Sequence, residues 1–145
     1  MVSIRDQGYS GDDKQAEEGT QMRLGDLNVP VETCRLVGDI LHHVGDKWSV
    51  LIIVLLRDGS WRYSELEREI GTVSKKMLTS TLRNLERDGF VTRTVTPTIP
   101  PRVDYALTPL GREVMEPLDL LARWALDNSG RITAARDAYD GRDAA

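Results

Sequence analysis

The feature that most constrains the fold is a tight turn between two helix-forming segments. Gly71 closes the first segment, and residues 72–73 complete the turn. Ser74 is one of the residue types that accept backbone N–H groups at a helix N-terminus, so it predicts a second helix that reaches about Asp88. A short helix, a three-residue turn and a second helix are typical of a helix-turn-helix.

The residues after the second helix change their period. Residues 90–96 contain β-branched side chains in rough alternation, and residues 102–107 alternate again. The stretch 97–101 between them holds three prolines, which cannot donate to a strand ladder, so we expect a loop and therefore a β-hairpin over 90–107. This order predicts a winged helix-turn-helix, whose second helix enters the major groove of DNA. The predicted fold class is mainly α with a small β-hairpin (α+β).

The helices that precede the motif are predicted from caps and apolar spacing. Thr33 is suited to cap a helix over residues 34–44, and a buried apolar helix follows over about 46–57. We expect a small strand at 60–63. Ser64 then reads as the N-cap of the first helix of the turn motif.

One more helix is predicted after the hairpin in the sequence. Thr108 is suited to cap it, because Pro109 stands at its first position, where a missing N–H costs no hydrogen bond. Apolar residues at helical spacing carry this helix to about Asn128, and we expect Pro117 to bend it.

Charge divides the chain of 145 residues into three parts. Residues 1–30 carry three basic and six acidic side chains, and their sparse apolar residues show no helical period. We therefore expect a flexible acidic N-terminal arm there. Residues 31–128 carry the single domain, and residues 129–145 form a C-terminal tail that offers little to bury, at most as a frayed helix.

Composition argues against several other classes of protein. One cysteine excludes an intrachain disulfide and a cysteine-rich zinc site, and the adjacent His42 and His43 are poorly placed to chelate one metal. We expect no metal, no cofactor and no enzyme, because no nucleophile–base pair, paired carboxylate or phosphate-binding glycine loop is present. The longest apolar run, residues 50–56, is too short to span a membrane, and the first residues lack an apolar signal region. The expected compartment is the cytoplasm.

The predicted second helix of the motif separates into two faces. At about 100° per residue its lysines, arginines and hydroxyl residues share one side, and its leucines share the other. Residues 74–102 hold six basic and two acidic side chains, 6 − 2 = +4, whereas the whole chain carries −4. A basic stripe on an acidic protein is the footprint expected of specific DNA binding. A winged-helix module that binds proteins instead of DNA remains the alternative.

We predict DNA contacts from residues on this face and next to it. Arg83 and Lys76 are suited to guanine edges, and Thr79 and Ser80 to a base or a phosphate. Contacts to phosphates alone remain the alternative for each of them. The full set is Ser74, Lys75, Lys76, Thr79, Ser80, Arg83, Arg102 at the base of the wing and Arg62 before the turn.

A series of short motifs runs in order through residues 34–128. They are Cys34, Gly45-Asp46-Lys47-Trp48, Arg62-Tyr63-Ser64-Glu65-Leu66, Ser74-Lys75-Lys76-Met77-Leu78-Thr79, Leu82-Arg83-Asn84-Leu85-Glu86-Arg87-Asp88-Gly89, Pro100-Pro101-Arg102-Val103-Asp104-Tyr105 and Leu107-Thr108-Pro109-Leu110-Gly111. Together they resemble the HxlR-type bacterial transcription regulators over about two-thirds of the chain. The chain departs from that pattern in its longer acidic arm and in Arg35, where the family often has proline.

The resemblance implies a homodimeric DNA-binding protein that often regulates a nearby gene and dimerises through its first and last helices. Two-fold symmetry then predicts an approximately palindromic double-stranded operator, with half-sites one or two helical turns apart. We expect a repressor of a nearby or divergent gene. Leu41, Leu121 and Trp124 are candidates for the dimer interface or for a small-molecule effector pocket.

Cys34 is the candidate for redox control. The positive end of a helix favours the thiolate, and in some relatives a cysteine here responds to oxidants or electrophiles. A disulfide of Cys34 would have to join two chains, because the sequence has no second cysteine. A role as a small, partly buried apolar residue remains the alternative.

Overall fold

The computed structural model describes residues 20–143, which form two units, 20–38 and 39–143. Residues 1–19 of the predicted acidic arm lie outside the described residues. The rest of that arm is not an irregular segment, because β1 (Gln21–Leu24) and β2 (Leu27–Pro30) pair as an antiparallel hairpin. Gly25 allows the two-residue turn between them, since its φ of 60° is a conformation that other side chains rarely adopt. The strands bury almost no side chain, so the sequence carries no apolar alternation from which they could be predicted.

Helix α1 (Val31–Gly45) begins three residues before the predicted start. The Val31 N–H donates to the carbonyl of Thr20, so the hairpin delivers the chain directly into the helix. Thr33 therefore lies inside the first turn and does not cap it.

The core of the second unit forms around α2 (Lys47–Leu55) and the short 3₁₀ turn that follows at 56–58. The Asp46 carboxylate caps α2 by accepting from the N–H groups of Trp48 and Ser49. The predicted buried helix is confirmed, and its apolar residues pack against leucines of the turn motif. Among the described residues, the largest fully buried side chains are Ile52, Ile53, Leu56, Leu66, Leu78, Leu82 and Leu85.

The turn motif consists of α3 (Tyr63–Ile70) and α4 (Lys75–Arg87). Ser74 caps α4 as predicted, since its Oγ accepts from the Met77 N–H at 3.1 Å. The predicted cap of α3 is wrong by two residues. Helix α3 starts after Arg62, whose N–H donates to the Glu65 carboxylate at 2.8 Å, so Ser64 lies within the first turn.

The predicted hairpin is present as β4 (Val91–Thr96) and β5 (Arg102–Leu107). The short strand β3 (Trp61–Arg62) pairs with the outer side of β5, which gives an antiparallel sheet in the order β3-β5-β4. The proline-rich stretch 97–101 forms the loop at the tip of this wing.

The last helical segment is interrupted next to the predicted bend and is longer than predicted. It divides at Val114 into α5 (Pro109–Glu113) and α6 (Met115–Asp143). Pro117 has no N–H to donate to the Glu113 carbonyl, and its ring crowds that carbonyl, so the division at Val114 agrees with the bend predicted at this proline. Helix α6 also continues through the predicted tail instead of ending near Asn128. None of the helices between residues 20 and 143 is long and apolar enough to cross a membrane.

Candidate nucleic-acid interface

Helix α4 presents one buried face and one exposed basic face. Its buried side carries Leu78, Thr81, Leu82 and Leu85. The predicted groove contacts on the helix all lie on the exposed side: Lys75, Lys76, Thr79, Ser80 and Arg83. Met77, which the helical period places on the same side as the leucines, is nevertheless 45% exposed.

The cations of this face carry uncompensated charge. Within residues 20–143, no carboxylate lies within 4 Å of the charged nitrogens of Lys75, Lys76 or Arg83. Exposed ammonium and guanidinium groups without a partner are the groups that bind phosphates and replace their counterions. They are also free to point into a DNA groove.

Tyr63 holds the start of α4 against α3, which the sequence did not suggest. Its hydroxyl lies 3.0 Å from the Thr79 hydroxyl and donates to the Lys75 carbonyl at 3.3 Å. Tyr63 is half-buried, and its polar end reaches the groove-facing helix. Thr79 is therefore partly committed to a contact within the protein.

Ser74 has a structural contact as well. Its Oγ accepts from the Met77 N–H, which leaves the hydroxyl hydrogen as the only part free to bind a phosphate. The same cap directs the N-terminal end of α4 toward solvent, where the helix dipole favours anions.

An open cleft of about 1000 Å³ lies between α4 and the wing. Four arginines line it, from the start of α3, from α4 and from both wing strands: Arg62, Arg83, Arg93 and Arg102. Glu86 contributes a carboxylate, which is suited to accept a hydrogen bond from a cytosine amino group. The predicted residues Arg62, Arg83 and Arg102 are thus brought to one cleft with Thr79.

Arg93 is a member of this cleft that the sequence analysis missed. The strand register places it opposite Tyr105, and Val91, two residues earlier, is buried on the same side of the sheet. Arg93 therefore continues the helix-facing side of the wing into solvent. The alternation with Val91 was the available signal, but it becomes informative only once the register of β4 and β5 is known.

Arg102 is not a free cation. Its Nε and Nη2 atoms donate to both oxygens of Asp104 at 2.8 to 3.1 Å, in the two-pronged geometry that guanidinium and carboxylate groups favour. These hydrogen bonds raise the pKa of Arg102 and hold the pKa of the Asp104 carboxyl below its ordinary value. The register pairs Arg102 with Thr96 beside the tip loop, so it does not lie at the base of the wing as predicted. At neutral pH this part of the wing thus carries an ion pair and not the single positive charge that the sequence suggested.

The comparisons with known proteins agree with this geometry. The sequence profile of the HxlR-like helix-turn-helix family matches residues 43–133, which include the turn motif, the cleft and the whole wing. The chain belongs to the HxlR-like helix-turn-helix family. As the regulators of this family do, it combines a helix-turn-helix with a wing, and it is a DNA-binding transcriptional regulator.

Relatives and solved structures share most of the HxlR-like domain. The uncharacterized HTH-type transcriptional regulator YtfH of Escherichia coli strain K12 is 48% identical over 99 residues, 68% of this chain and 79% of the relative. The redox regulator HypR in its reduced form superposes with a TM-score of 0.62 at 32% identity, over 68% of this chain and 98% of that one. The reduced transcriptional regulator YodB of Bacillus subtilis gives a TM-score of 0.57 at 34% identity, over 63% and 90%. HypR has also been solved oxidised, and YodB after diamide treatment.

The remaining predicted site residues lie outside the cleft. Cys34 is half-buried in the first turn of α1 and precedes the residues that the HxlR-like profile matches. Leu41 on α1 and Leu121 and Trp124 on α6 are 62%, 59% and 57% exposed. As these large apolar side chains are open to water in the single chain, they do not form an enclosed pocket there.

Proposed function

We propose that this HxlR-like chain binds double-stranded DNA as a homodimer, with α4 in the major groove and the wing along the backbone. The observation that supports this most strongly is the face of α4 that carries Lys75, Lys76 and Arg83 without acidic partners among residues 20–143. Arg62 and Arg93, which line the cleft, contribute phosphate contacts on the wing side. Arg83 and Lys76 read base edges, and Ser80 and Thr79 contact the backbone.

The exposed apolar residues of α1 and α6 support the homodimer. Large apolar side chains that are open to water favour burial against a partner. Ile40 and Leu41 on α1 and Leu120, Leu121 and Trp124 on α6 have this character. A two-fold dimer presents two copies of α4 to an approximately palindromic operator.

The experiment compares specific and random DNA. Fluorescence anisotropy measures binding of the wild-type chain and Arg83→Ala to the duplex upstream of the gene and to a shuffled duplex, over a series of salt concentrations. Arg83→Ala is expected to weaken specific binding by about 1–3 kcal/mol and random binding much less. Arg136→Ala removes an equal charge from an exposed site on α6 and serves as the control.

Two other results would change the proposal. Equal loss on both duplexes would reduce Arg83 to a phosphate contact. Absence of DNA binding by the wild type at low salt would instead favour a protein-interaction module, because phosphate contacts are strongest there.

We further propose that oxidation of Cys34 controls DNA binding. The support is the presence of a single cysteine in a helix first turn, together with the redox regulator HypR and the diamide-treated YodB among similar structures. Diamide would take two electrons and two protons from the Cys34 thiols of two chains, which become one disulfide. Diamide is expected to lower the DNA affinity of the wild type and to leave Cys34→Ser unchanged. An equal change of DNA affinity in the wild type and in Cys34→Ser would exclude control by Cys34 and favour a small-molecule or electrophile effector elsewhere in the dimer.

We place this regulator in the cytoplasm, with access to chromosomal DNA, as a repressor of a nearby gene. A reporter under the promoter next to the gene is expected to rise when the gene is deleted. A fall in the reporter would make the protein an activator.

A further inference from the structure

A short contact ties α1 to the end of the groove-facing helix. His43 Nδ1, in the last turn of α1, lies 2.6 Å from Asp88 Oδ2, 45 residues along the chain. The two side chains are only 18% and 23% exposed, so water competes little for this contact. On the other side of the ring, Nε2 lies 4.0 Å from Asp39 Oδ1. The imidazole is thus held between two carboxylates.

Asp88 is the C-cap of α4, and its own N–H donates to the Asn84 carbonyl at 2.9 Å. The contact therefore acts on one end of α4, while the opposite end carries Lys75 and Lys76. The ion pair of Arg57 and Asp119, also 2.6 Å long, joins the 3₁₀ turn to α6 and involves no residue of α4. The Arg57–Asp119 ion pair therefore serves as a control for the His43–Asp88 contact.

The length of α4 makes its C-terminal anchor important. Thirteen residues at 1.5 Å each span about 20 Å. A tilt of about 10° at the Asp88 end would move the other end by roughly 3.4 Å, the rise of one base pair. A small loosening at Asp88 is therefore sufficient to change which base pairs the far end of α4 reaches.

We propose that His43 is a positioning residue, which fixes the angle of α4 relative to the end of α1 and thereby sets the half-site separation that the dimer accepts. This inference rests on the proposed binding of DNA by a dimer. Helix α1 is suited to this role because Ile40 and Leu41, one turn before His43, belong to the proposed dimer surface. The His43–Asp88 contact then connects the part of the chain that meets the partner with the part that meets DNA.

The test is selection of bound duplexes from a random pool by the wild type, His43→Ala, Asp88→Ala and, as the matched control, Asp119→Asn. The wild type and the control are expected to enrich one half-site separation. In the wild type, a separation one base pair longer or shorter should cost about tenfold in affinity, the size of one lost base contact. His43→Ala and Asp88→Ala are expected to enrich the same half-site sequence over several separations. The double variant of His43→Ala and Asp88→Ala should enrich the same range of separations as each single variant, since each substitution removes the same contact.

A conservative variant separates positioning from simple loss of stability. His43→Asn keeps a donor near the place of Nδ1 and is expected to keep the narrow separation, while denaturant unfolding reports the stability of each variant. If His43→Ala keeps the wild-type separation, the positioning role is wrong while DNA binding by the dimer stands. If the wild type enriches no paired half-sites, the proposed function fails and this inference fails with it.

Discussion

At the residue scale, Tyr63 shows how one hydroxyl group fixes the geometry of the turn motif. It bridges the first turn of α3 and two residues of α4, the Lys75 carbonyl and the Thr79 hydroxyl. Without it, the N-terminal end of α4 would be held mainly by its leucines. Those apolar contacts resist separation of α4 from α3. They do not fix the rotation of α4 about its own axis, as a directed hydrogen bond does.

Tyr63→Phe removes this hydroxyl and keeps the ring. We expect the free energy of unfolding to fall by about 1 kcal/mol, the net value of a hydrogen bond, and specific DNA affinity to fall with it. Urea denaturation and anisotropy measure the two effects. Tyr139→Phe, at an exposed tyrosine of α6 whose hydroxyl makes no hydrogen bond within residues 20–143, is the control. A Tyr63→Phe protein as stable as that control would show that the bridge contributes nothing.

The basic face of α4 was predictable residue by residue, whereas Tyr63, Arg93 and the neutralised Arg102 were not. The period of a helix sorts its own side chains, so the sequence alone separates Lys75 and Arg83 from Leu78 and Leu82. The other three depend on neighbours across the fold or on a strand face. The strand predicted over residues 102–107 already places Asp104 and Arg102 on one side, but it does not specify the hydrogen bonds that pair them.

At the element scale, the joint between the wing and the last helices depends on close backbone approach. Thr108 donates its hydroxyl to the Gly89 carbonyl and accepts from the Gly111 N–H. The backbone of α5 therefore lies close to that of Phe90. A Cβ at residue 111 would be only 2.1 Å from the Phe90 carbonyl oxygen, so residue 111 has no room for a side chain. The glycine is thus required by packing, within the first turn of α5.

Gly111→Ala is expected to lower the free energy of unfolding by about 2–3 kcal/mol, because the Phe90 backbone must move. Gly130→Ala is the control, as nothing lies within 4 Å of its Cβ position on α6. It is expected to raise stability by up to about 1 kcal/mol through helix propensity. Denaturant unfolding measures both, and a Gly111→Ala protein at least as stable as the wild type would contradict this packing.

Element boundaries were predictable where a cap decides them. Ser74 and Thr108 begin their helices as expected, since each hydroxyl accepts a backbone N–H three residues on. The hairpin at residues 21–30 and the full length of α6 were not predictable. The hairpin and the part of α6 beyond Asn128 consist almost entirely of exposed side chains, so neither leaves an apolar period in the sequence.

At the scale of the whole molecule, the exposed apolar side chains of α1 and α6 favour burial against a partner. A stable interface buries about 800 Å² on each side, and apolar residues at its centre carry most of the energy. Leu121 and Trp124 stand 59% and 57% exposed on α6. The dimer was expected from the family resemblance and from these positions, and it remains a prediction.

Leu121→Asp is expected to convert the dimer into a monomer, because it would place a charge in the centre of an apolar interface. Sedimentation equilibrium measures the mass. Val95→Asp adds the same charge at an exposed apolar site of the wing and should leave the mass unchanged. A monomeric wild type, or a Leu121→Asp protein with the wild-type mass, would show that α6 does not form a dimer interface.

DNA reading by two copies of α4 is tested most directly by the sequence that the wild-type chain selects from random duplex DNA. Two copies of α4 in successive major grooves predict an inverted repeat, with half-site centres about 10–10.5 base pairs apart or a multiple of that distance. Arg83→Ala should lose the preference at one position of each half-site. Enrichment of no sequence, or of a single half-site without its symmetric copy, would show that the basic face of α4 does not read DNA within a two-fold dimer.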